Sequence, residues 1–186
     1  VFTYCEFTNQ WDTQQDQVNL QYSLFIVKGE KVQNDLLRIA IQDNLTSRDT
    51  DAEKSDKGMY CWMGLAGAPV SRFDTSRQAF LGTYGDYGHP EAVMRGACSN
   101  SQAYGDNACG SYQVDLELQA GETRELLVLL GVGDAQTIGA ETFKEYGNID
   151  RARSELELLK RSWHQYLENF KVKTPDPDFD HFINMW

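Results

Sequence analysis

Between Arg72 and Pro90 the chain reads RFDTSRQAFLGTYGDYGHP, which sets two arginines, two aspartates, two phenylalanines, two tyrosines and a histidine among three glycines. Arginine and aspartate supply directed hydrogen bonds, aromatic rings supply flat apolar faces, and glycine lets the backbone turn sharply. That combination suits a polar, ring-shaped ligand such as a sugar, whose C–H face rests on an aromatic ring while its hydroxyls meet directed donors and acceptors. Tyr84, Asp86, Tyr87 and His89 are polar-tipped and flanked by glycine, so they are the first candidates for substrate binding, with Arg72 and Arg77 beside them. The same segment could instead brace one loop against a neighbouring domain. In that reading Arg72 or Arg77 pairs with Asp74, and Phe80 and Leu81 anchor the loop in the core. Trp11 and Trp62 are alternative sugar platforms, although tryptophan in strand sequence is more often core.

No catalytic residue is assigned. Asp12, Asp16, Asp74 and Asp86 fall at no spacing that demands paired acid–base work, and His89, His164 and His181 accompany no nucleophile motif. Gly131-Val132-Gly133 lacks the lysine of a phosphate-binding loop and reads as a strand end. No metal site is expected, because Cys5, Cys61, Cys98 and Cys109 are far apart and form no CxxC pair. Cys98 and Cys109 bracket a polar loop and leave a disulfide open; free, partly buried thiols fit an intracellular domain better.

The elements that must position these residues are bounded by composition. At 186 residues, 41% of them apolar, the chain is long enough for one domain with a real core and an attached helical piece. A formal charge of -11 argues against nucleic acid and against a polybasic membrane contact. The longest apolar run, LLVLLGV at 126–132, has strand length and falls far short of the roughly 20 residues of a membrane helix. The opening VFTYCEF carries no basic leader and already sits in strand-like sequence, so a cytoplasmic segment of a larger protein is expected.

Strands are expected at 20–27 (LQYSLFIV), 36–41 (LLRIAI) and 59–65 (MYCWMGL), with Gly64 and Gly67 ending the third and an exposed charged loop over 46–57. Tyr112, Val114, Leu116 and Leu118 alternate with polar residues, Ala120-Gly121-Glu122 makes a turn, and 124–130 runs back as a more deeply buried strand, which predicts a hairpin. Thr142–Tyr146 is one helical turn. From Asp150, a good N-cap, apolar residues at 152, 156, 159, 163, 167 and 170 give a helix of roughly twenty residues. Pro175 and Pro177 start another, capped by Thr174 or Asp176, with Phe179, Phe182, Ile183 and Trp186 on one stripe. The expected fold is mainly β, an antiparallel sandwich followed by helices.

With its parts in this order the chain resembles the family 94 glycoside phosphorylases, which include cellobiose, cellodextrin and chitobiose phosphorylases. The resemblance rests on YCEFTNQWDTQQDQVNLQYSLF, with its acidic residue and Trp-Asp pair, and on FDTSRQAFLGTYGDYGHPEAVMRG, which is similar to that family's FDT-x-R-x-x-F-L-G block. LELQAGETRELLVLLG and TPDPDFDHFINMW match in kind and order. One departure stands where cellobiose phosphorylases carry Pro-Tyr-Arg after the block: here it is Thr83-Tyr84-Gly85. NQWDTQQD leans towards the cellodextrin side of the family.

The resemblance implies a β-sandwich segment over 1–140, a helical linker over 141–173 and, from 174, the first helix of an (α/α)6 barrel whose remainder lies outside the chain. It also implies a homodimer in which the sandwich approaches the partner's substrate cleft. The implied reaction is inverting phosphorolysis of a β-linked gluco-oligosaccharide, with inorganic phosphate as co-substrate and no metal or organic cofactor, giving α-glucose 1-phosphate. The catalytic acid would lie in the barrel, beyond residue 186. The competing readings are a stand-alone carbohydrate-binding sandwich, a purely structural interdomain piece, and an enzyme of the maltose phosphorylase or glucoamylase type.

Overall fold

The computed structural model describes residues 1–7, 27–41, 59–105 and 107–185. The chain divides into two units, Val1–Asn148 and Ile149–Trp186. The first is an antiparallel β-sandwich. Its strands are β1 (Cys5–Glu6), β2 (Val27–Lys31), β3 (Leu37–Ile41), β4 (Met59–Ala66), β5 (Arg72–Ser76), β6 (Ala103–Tyr104), β7 (Ala108–Gln113) and β8 (Leu127–Val132). One sheet has the order β1-β7-β5 and the other β6-β2-β3-β4-β8.

The core between the sheets follows from the two-residue period of a strand. Leu37, Met63 and Leu65 of the larger sheet pack on Phe73, Tyr112 and Val114 of the smaller side. Tyr112 is fully buried, and its phenol is satisfied there: the oxygen lies 2.7 Å from the Asp35 carbonyl and 2.8 Å from that of Met63, and accepts the Leu37 N–H at 3.2 Å. Burial pushes this phenol well above its ordinary pKa, so it remains a donor. Thr75 joins the sheets directly, its hydroxyl donating to the Gly29 carbonyl at 2.8 Å and accepting the Ala103 N–H at 2.9 Å.

The opposite parity of β4 faces outwards. Trp62 points there with Leu36 and Ala135, covered by a π-helical turn (Ala135–Gly139) and the first helical residues after it. Glycines make the room. A Cβ on Gly131 would stand 2.5 Å from the Trp62 ring, and one on Gly64 would stand 2.6 Å from Phe143. Gly64 therefore serves packing inside β4 and does not end it, a correction to its expected role, whereas Gly67 (φ +100) turns the chain after Ala66 as expected.

The expected hairpin is also corrected. Gly121 does turn the chain, with φ +81 and a Glu122 N–H to Gln119 carbonyl bond of 2.9 Å. The flanking strands, however, belong to different sheets: β7 pairs with β1 and β5, and β8 pairs with β4. The depths are reversed as well. Every residue of β7 is buried, because the core lies on one face and two short helices on the other; β8 is an edge strand with alternate residues exposed. Strands β3 and β4 stand where expected. Of the expected strand 20–27, residues 20–26 lie outside the described residues, as does the charged stretch 46–57, and Val27 opens β2.

The short helices are α1 (Arg77–Leu81) and α2 (Glu91–Arg95). Ser76 caps α1 by accepting the Ala79 N–H at 3.2 Å, and Gly96, at φ +77, ends α2. Phe80, Leu81 and Ala92 seat both on Cys98 and Cys109, which are buried thiols outside any disulfide. Burial pushes the Cys98 thiol up to about 12. Helix α3 (Ala140–Tyr146) runs two turns, longer than the single turn expected.

The second unit holds α4 (Ile149–Glu168) and α5 (Pro177–Met185). Helix α4 begins one residue before Asp150, which sits in its first turn and not at the cap. Asp176 caps α5, accepting the N–H groups of Asp178 at 3.0 Å and Phe179 at 3.3 Å. Asn184 exchanges two bonds of 2.9 Å with the backbone of Val172, which ties α5 to the segment before it. Leu156, Leu159, Trp163 and Leu167 on α4, and Phe182 and Met185 on α5, are exposed. No helix of the described residues is long and apolar enough to cross a membrane.

Candidate functional site

The block from Phe73 to Leu81 is built as a platform. Phe73 enters the sandwich core, Thr75 binds the second sheet, and Asp74 between them is wholly buried. Its Oδ1 accepts the Ser99 hydroxyl at 2.7 Å, the Ser99 N–H at 3.0 Å and the Ser101 N–H at 2.9 Å. The expected pairing of Asp74 with Arg72 or Arg77 does not occur. A carboxylate that far inside is better satisfied by fixed backbone donors, and both guanidiniums stay nearer the surface. Arg72 donates to the Cys98 carbonyl at 3.4 Å. It lies at the far end of β5, about 16 Å along the strand from Arg77.

Arg77 instead finds Glu6 of β1. Its Nε donates to Glu6 Oε1 at 2.8 Å, and the same oxygen accepts the Tyr4 hydroxyl at 2.5 Å and the Tyr87 hydroxyl at 2.9 Å. The Arg77 guanidinium also lies 5.7 Å from the Tyr87 ring centroid, and its Nη2 is 3.4 Å from the Tyr87 hydroxyl. Tyr4 stacks on the buried Phe80 at 4.7 Å between centroids and meets Tyr87 edge-on at 6.4 Å. Burial alone would raise the Glu6 carboxyl, but the bonds from Tyr4, Arg77 and Tyr87 outweigh it and hold the group below the usual carboxylate range. Burial and the Glu6 bond push the Tyr4 phenol strongly up, so it stays protonated as a donor.

The loop between α1 and α2 is shaped by its own backbone. Asp86 Oδ1 accepts the N–H groups of Gly88 at 2.8 Å and His89 at 2.9 Å, which hold its carboxyl below the usual range. His89 Nδ1 lies 3.5 Å from the same oxygen. Tyr84 is completely exposed, and Tyr87, Asp86 and His89 are largely so. A Cβ on Gly85 would stand 1.7 Å from the Leu81 carbonyl oxygen, so this backbone path admits no side chain at the position where the family resemblance leads one to expect arginine.

Of the six candidate binding residues, the structure thus joins Arg77 to Tyr87 and Asp86 to His89, leaves Tyr84 projecting alone, and sets Arg72 apart. An open cavity of about 370 Å³ lies beside the loop. It is lined by other residues: Ser76, Gln78, Thr83, Glu91, Arg95 and Ser99. The Glu91–Arg95 spacing of four was the available signal for that wall, since it puts both on one helix face. Glu6 was visible only as the acidic residue of the opening segment. Trp11, Asp12 and Asp16 lie outside the described residues. Asp74 has a structural role, and His164 is exposed on α4. Among the described residues no group of three His, Cys, Asp or Glu side chains could hold a metal ion.

A family model described as glycosyl hydrolase 94, supersandwich domain, matches residues 1–149. The N,N'-diacetylchitobiose phosphorylase of Vibrio furnissii is 34% identical over 114 residues, which are 61% of this chain and 14% of that protein. The solabiose phosphorylase of Paenibacillus borealis is 32% identical over 125 residues, 66% of this chain and 16% of the relative. A cyclic beta-(1,2)-glucan synthase of Rhizobium meliloti is 30% identical over 127 residues, 68% of this chain and 4% of the relative. The chain therefore spans only a small fraction of the length of the relatives it matches.

Proposed function

The chain belongs to glycosyl hydrolase family 94, whose supersandwich domain it carries, and from that premise we propose that it is the sandwich and linker segment of an inverting glycoside phosphorylase. The observation that carries this reading is the match across 1–149 together with relatives named as phosphorylases. The proposed substrate is a β-linked gluco-oligosaccharide of the cellobiose or cellodextrin type, and the products are α-glucose 1-phosphate and a shortened sugar. The names of the relatives widen the panel to be tested to N,N'-diacetylchitobiose and solabiose.

In such a reaction a carboxylic acid protonates the leaving glycosidic oxygen while phosphate attacks the opposite face of the sugar. Phosphate takes the place of the water and general base of an inverting hydrolase, so one catalytic carboxylate suffices. That acid is proposed to lie in a helical barrel beyond residue 186, with α5 as its first helix. This chain's own part is recognition: Tyr84 offers an exposed ring face and Asp86 and His89 offer polar tips, on a loop that Tyr87, its hydroxyl bound to Glu6, holds from behind. The enzyme is proposed to be a cytoplasmic homodimer in which this loop forms one wall of the substrate cleft.

Full-length protein incubated with phosphate and each disaccharide should release a sugar 1-phosphate from at least one. Release of free sugar alone would overturn the reading. The alternative is a non-catalytic carbohydrate-binding or structural sandwich. It is favoured if the isolated chain binds cellotriose, Tyr84→Ala abolishes that binding, and the full-length protein makes no sugar phosphate.

A further inference from the structure

We propose that Glu6 is the positioning residue of the 83–89 loop, fixing through Tyr87 the place at which the loop meets sugar; this rests on the phosphorylase reading above. The geometry is specific. A single carboxylate oxygen accepts three donors from three separate stretches of chain: Tyr4 of the opening segment, Arg77 at the start of α1, and Tyr87 within the loop. Glu6 and Tyr87 are 81 positions apart in sequence, so nothing local forces them together.

Each donor is itself constrained. Tyr4 is locked by stacking on Phe80, which is buried, and Arg77 begins the helix that carries Phe80. Glu6 stands on β1, paired with β7 at the Glu6–Cys109 register. The carboxylate thus links the sheet, α1 and the loop. Tyr87 is the loop residue that reaches it, while Asp86 bonds to the loop's own N–H groups and Thr83 to Gln78. With Tyr87 fixed, Gly85 and Gly88 on either side leave Tyr84 and His89 pointing outwards in one arrangement. A sugar then meets a preformed wall and does not have to order seven exposed residues on binding.

A negative charge is required, because three donors on one oxygen make a set of charge-assisted bonds that a neutral amide oxygen supports much less well. Glu6→Gln keeps the shape and loses the charge; Glu6→Ala loses both. The test uses the full-length protein with both variants, and Tyr87→Phe as a milder change at an exposed position. Steady-state phosphorolysis on the best disaccharide is combined with amide hydrogen exchange of 83–89.

The expected result is that KM for the disaccharide rises about tenfold in Glu6→Gln, the equivalent of one bond to a charged group, while kcat moves much less. Exchange in 83–89 should quicken without quickening in β4. Tyr87→Phe should act in the same direction, and the double variant with Glu6→Ala should be no worse than Glu6→Ala alone. A lowered melting temperature with KM and loop exchange unchanged would overturn the proposal, leaving Glu6 as scaffolding. If the wild-type protein forms no sugar phosphate, the phosphorylase reading fails. Loop exchange then decides alone: quickening in Glu6→Gln supports Glu6 as the brace, and unchanged exchange overturns it.

Discussion

Asp74 holds Ser99 through both its donors, the hydroxyl at 2.7 Å and the backbone N–H at 3.0 Å, and both bonds end on one buried carboxylate oxygen. The platform beneath the candidate loop hangs on this pair, since Ser101, bound to the same oxygen, also accepts the Thr75 N–H at 3.1 Å. Replacing Asp74 by alanine removes the buried acceptor shared by the Ser99 hydroxyl and N–H and the Ser101 N–H, which lie partly buried at the edge of the sandwich. Leaving buried donors unmade costs about 1–3 kcal/mol each. Asp74→Ala is expected to destabilise the sandwich by about 1–3 kcal/mol in urea unfolding, whereas Asp86→Ala, on the surface, should change little.

Trp62 is held between glycines. A Cβ at Gly131 would stand 2.5 Å from its ring, and one at Gly139 would stand 3.0 Å away. Overpacking of this kind costs about 1–3 kcal/mol. Gly131→Ala should therefore lower the thermal midpoint, and a second change, Trp62→Leu, should make Gly131→Ala close to harmless. Additive effects in that double-mutant cycle would contradict the packing account.

Gly85 and Gly88 flank the same loop but differ in what surrounds them. A Cβ at Gly85 would strike a backbone carbonyl at 1.7 Å, while one at Gly88 would only approach the Asp86 carboxylate at 3.2 Å. Gly85→Ala must move backbone and Gly88→Ala need not. Thermal melts should show a clear fall for the first and a much smaller one for the second. By the same geometry Gly85→Arg, which restores the arginine of cellobiose phosphorylases, should disturb the loop and should not by itself create activity on cellobiose.

Acid should weaken the Glu6 junction in a defined window. In the folded chain its carboxyl is held below the ordinary value of 4.5, so the unfolded state takes up the proton first as pH falls. The contribution to stability is therefore complete above about pH 5 and is lost as pH falls through the lower folded value. Unfolding free energies of wild type and Glu6→Gln should differ most near neutrality and converge as pH falls below the lowered folded value. A difference that stays constant with pH would mean the charge of Glu6 does not matter to the fold.

What can be read in the sequence, and what cannot, divides along physical lines. The apolar run at 59–65 and the 3.6-residue spacing after Asp150 report local periodicity, and a strand and a helix stand there. Alternation at 112–118 reports equally well that one face is apolar, but it carries no information about which strand lies alongside. Gly121 suggested the adjacent strand, yet β7 pairs with β1 and β5. Asp74 looks like a surface or catalytic carboxylate because aspartate is rarely buried; only the three-dimensional donors of Ser99 and Ser101 make its burial tolerable. The Glu6–Arg77 contact spans 71 positions and leaves no local trace, so the arginine was naturally offered to its nearer acidic neighbour.

The most direct measurement is phosphate-dependent formation of a sugar 1-phosphate by the full-length protein, followed by ³¹P NMR with cellobiose, cellotriose, N,N'-diacetylchitobiose and solabiose in turn. The account predicts an α-linked sugar 1-phosphate from at least one of these, formed only when phosphate is present and with a raised KM in Tyr84→Ala. Free sugar released equally well without phosphate, and no sugar phosphate from any of the four, would contradict it.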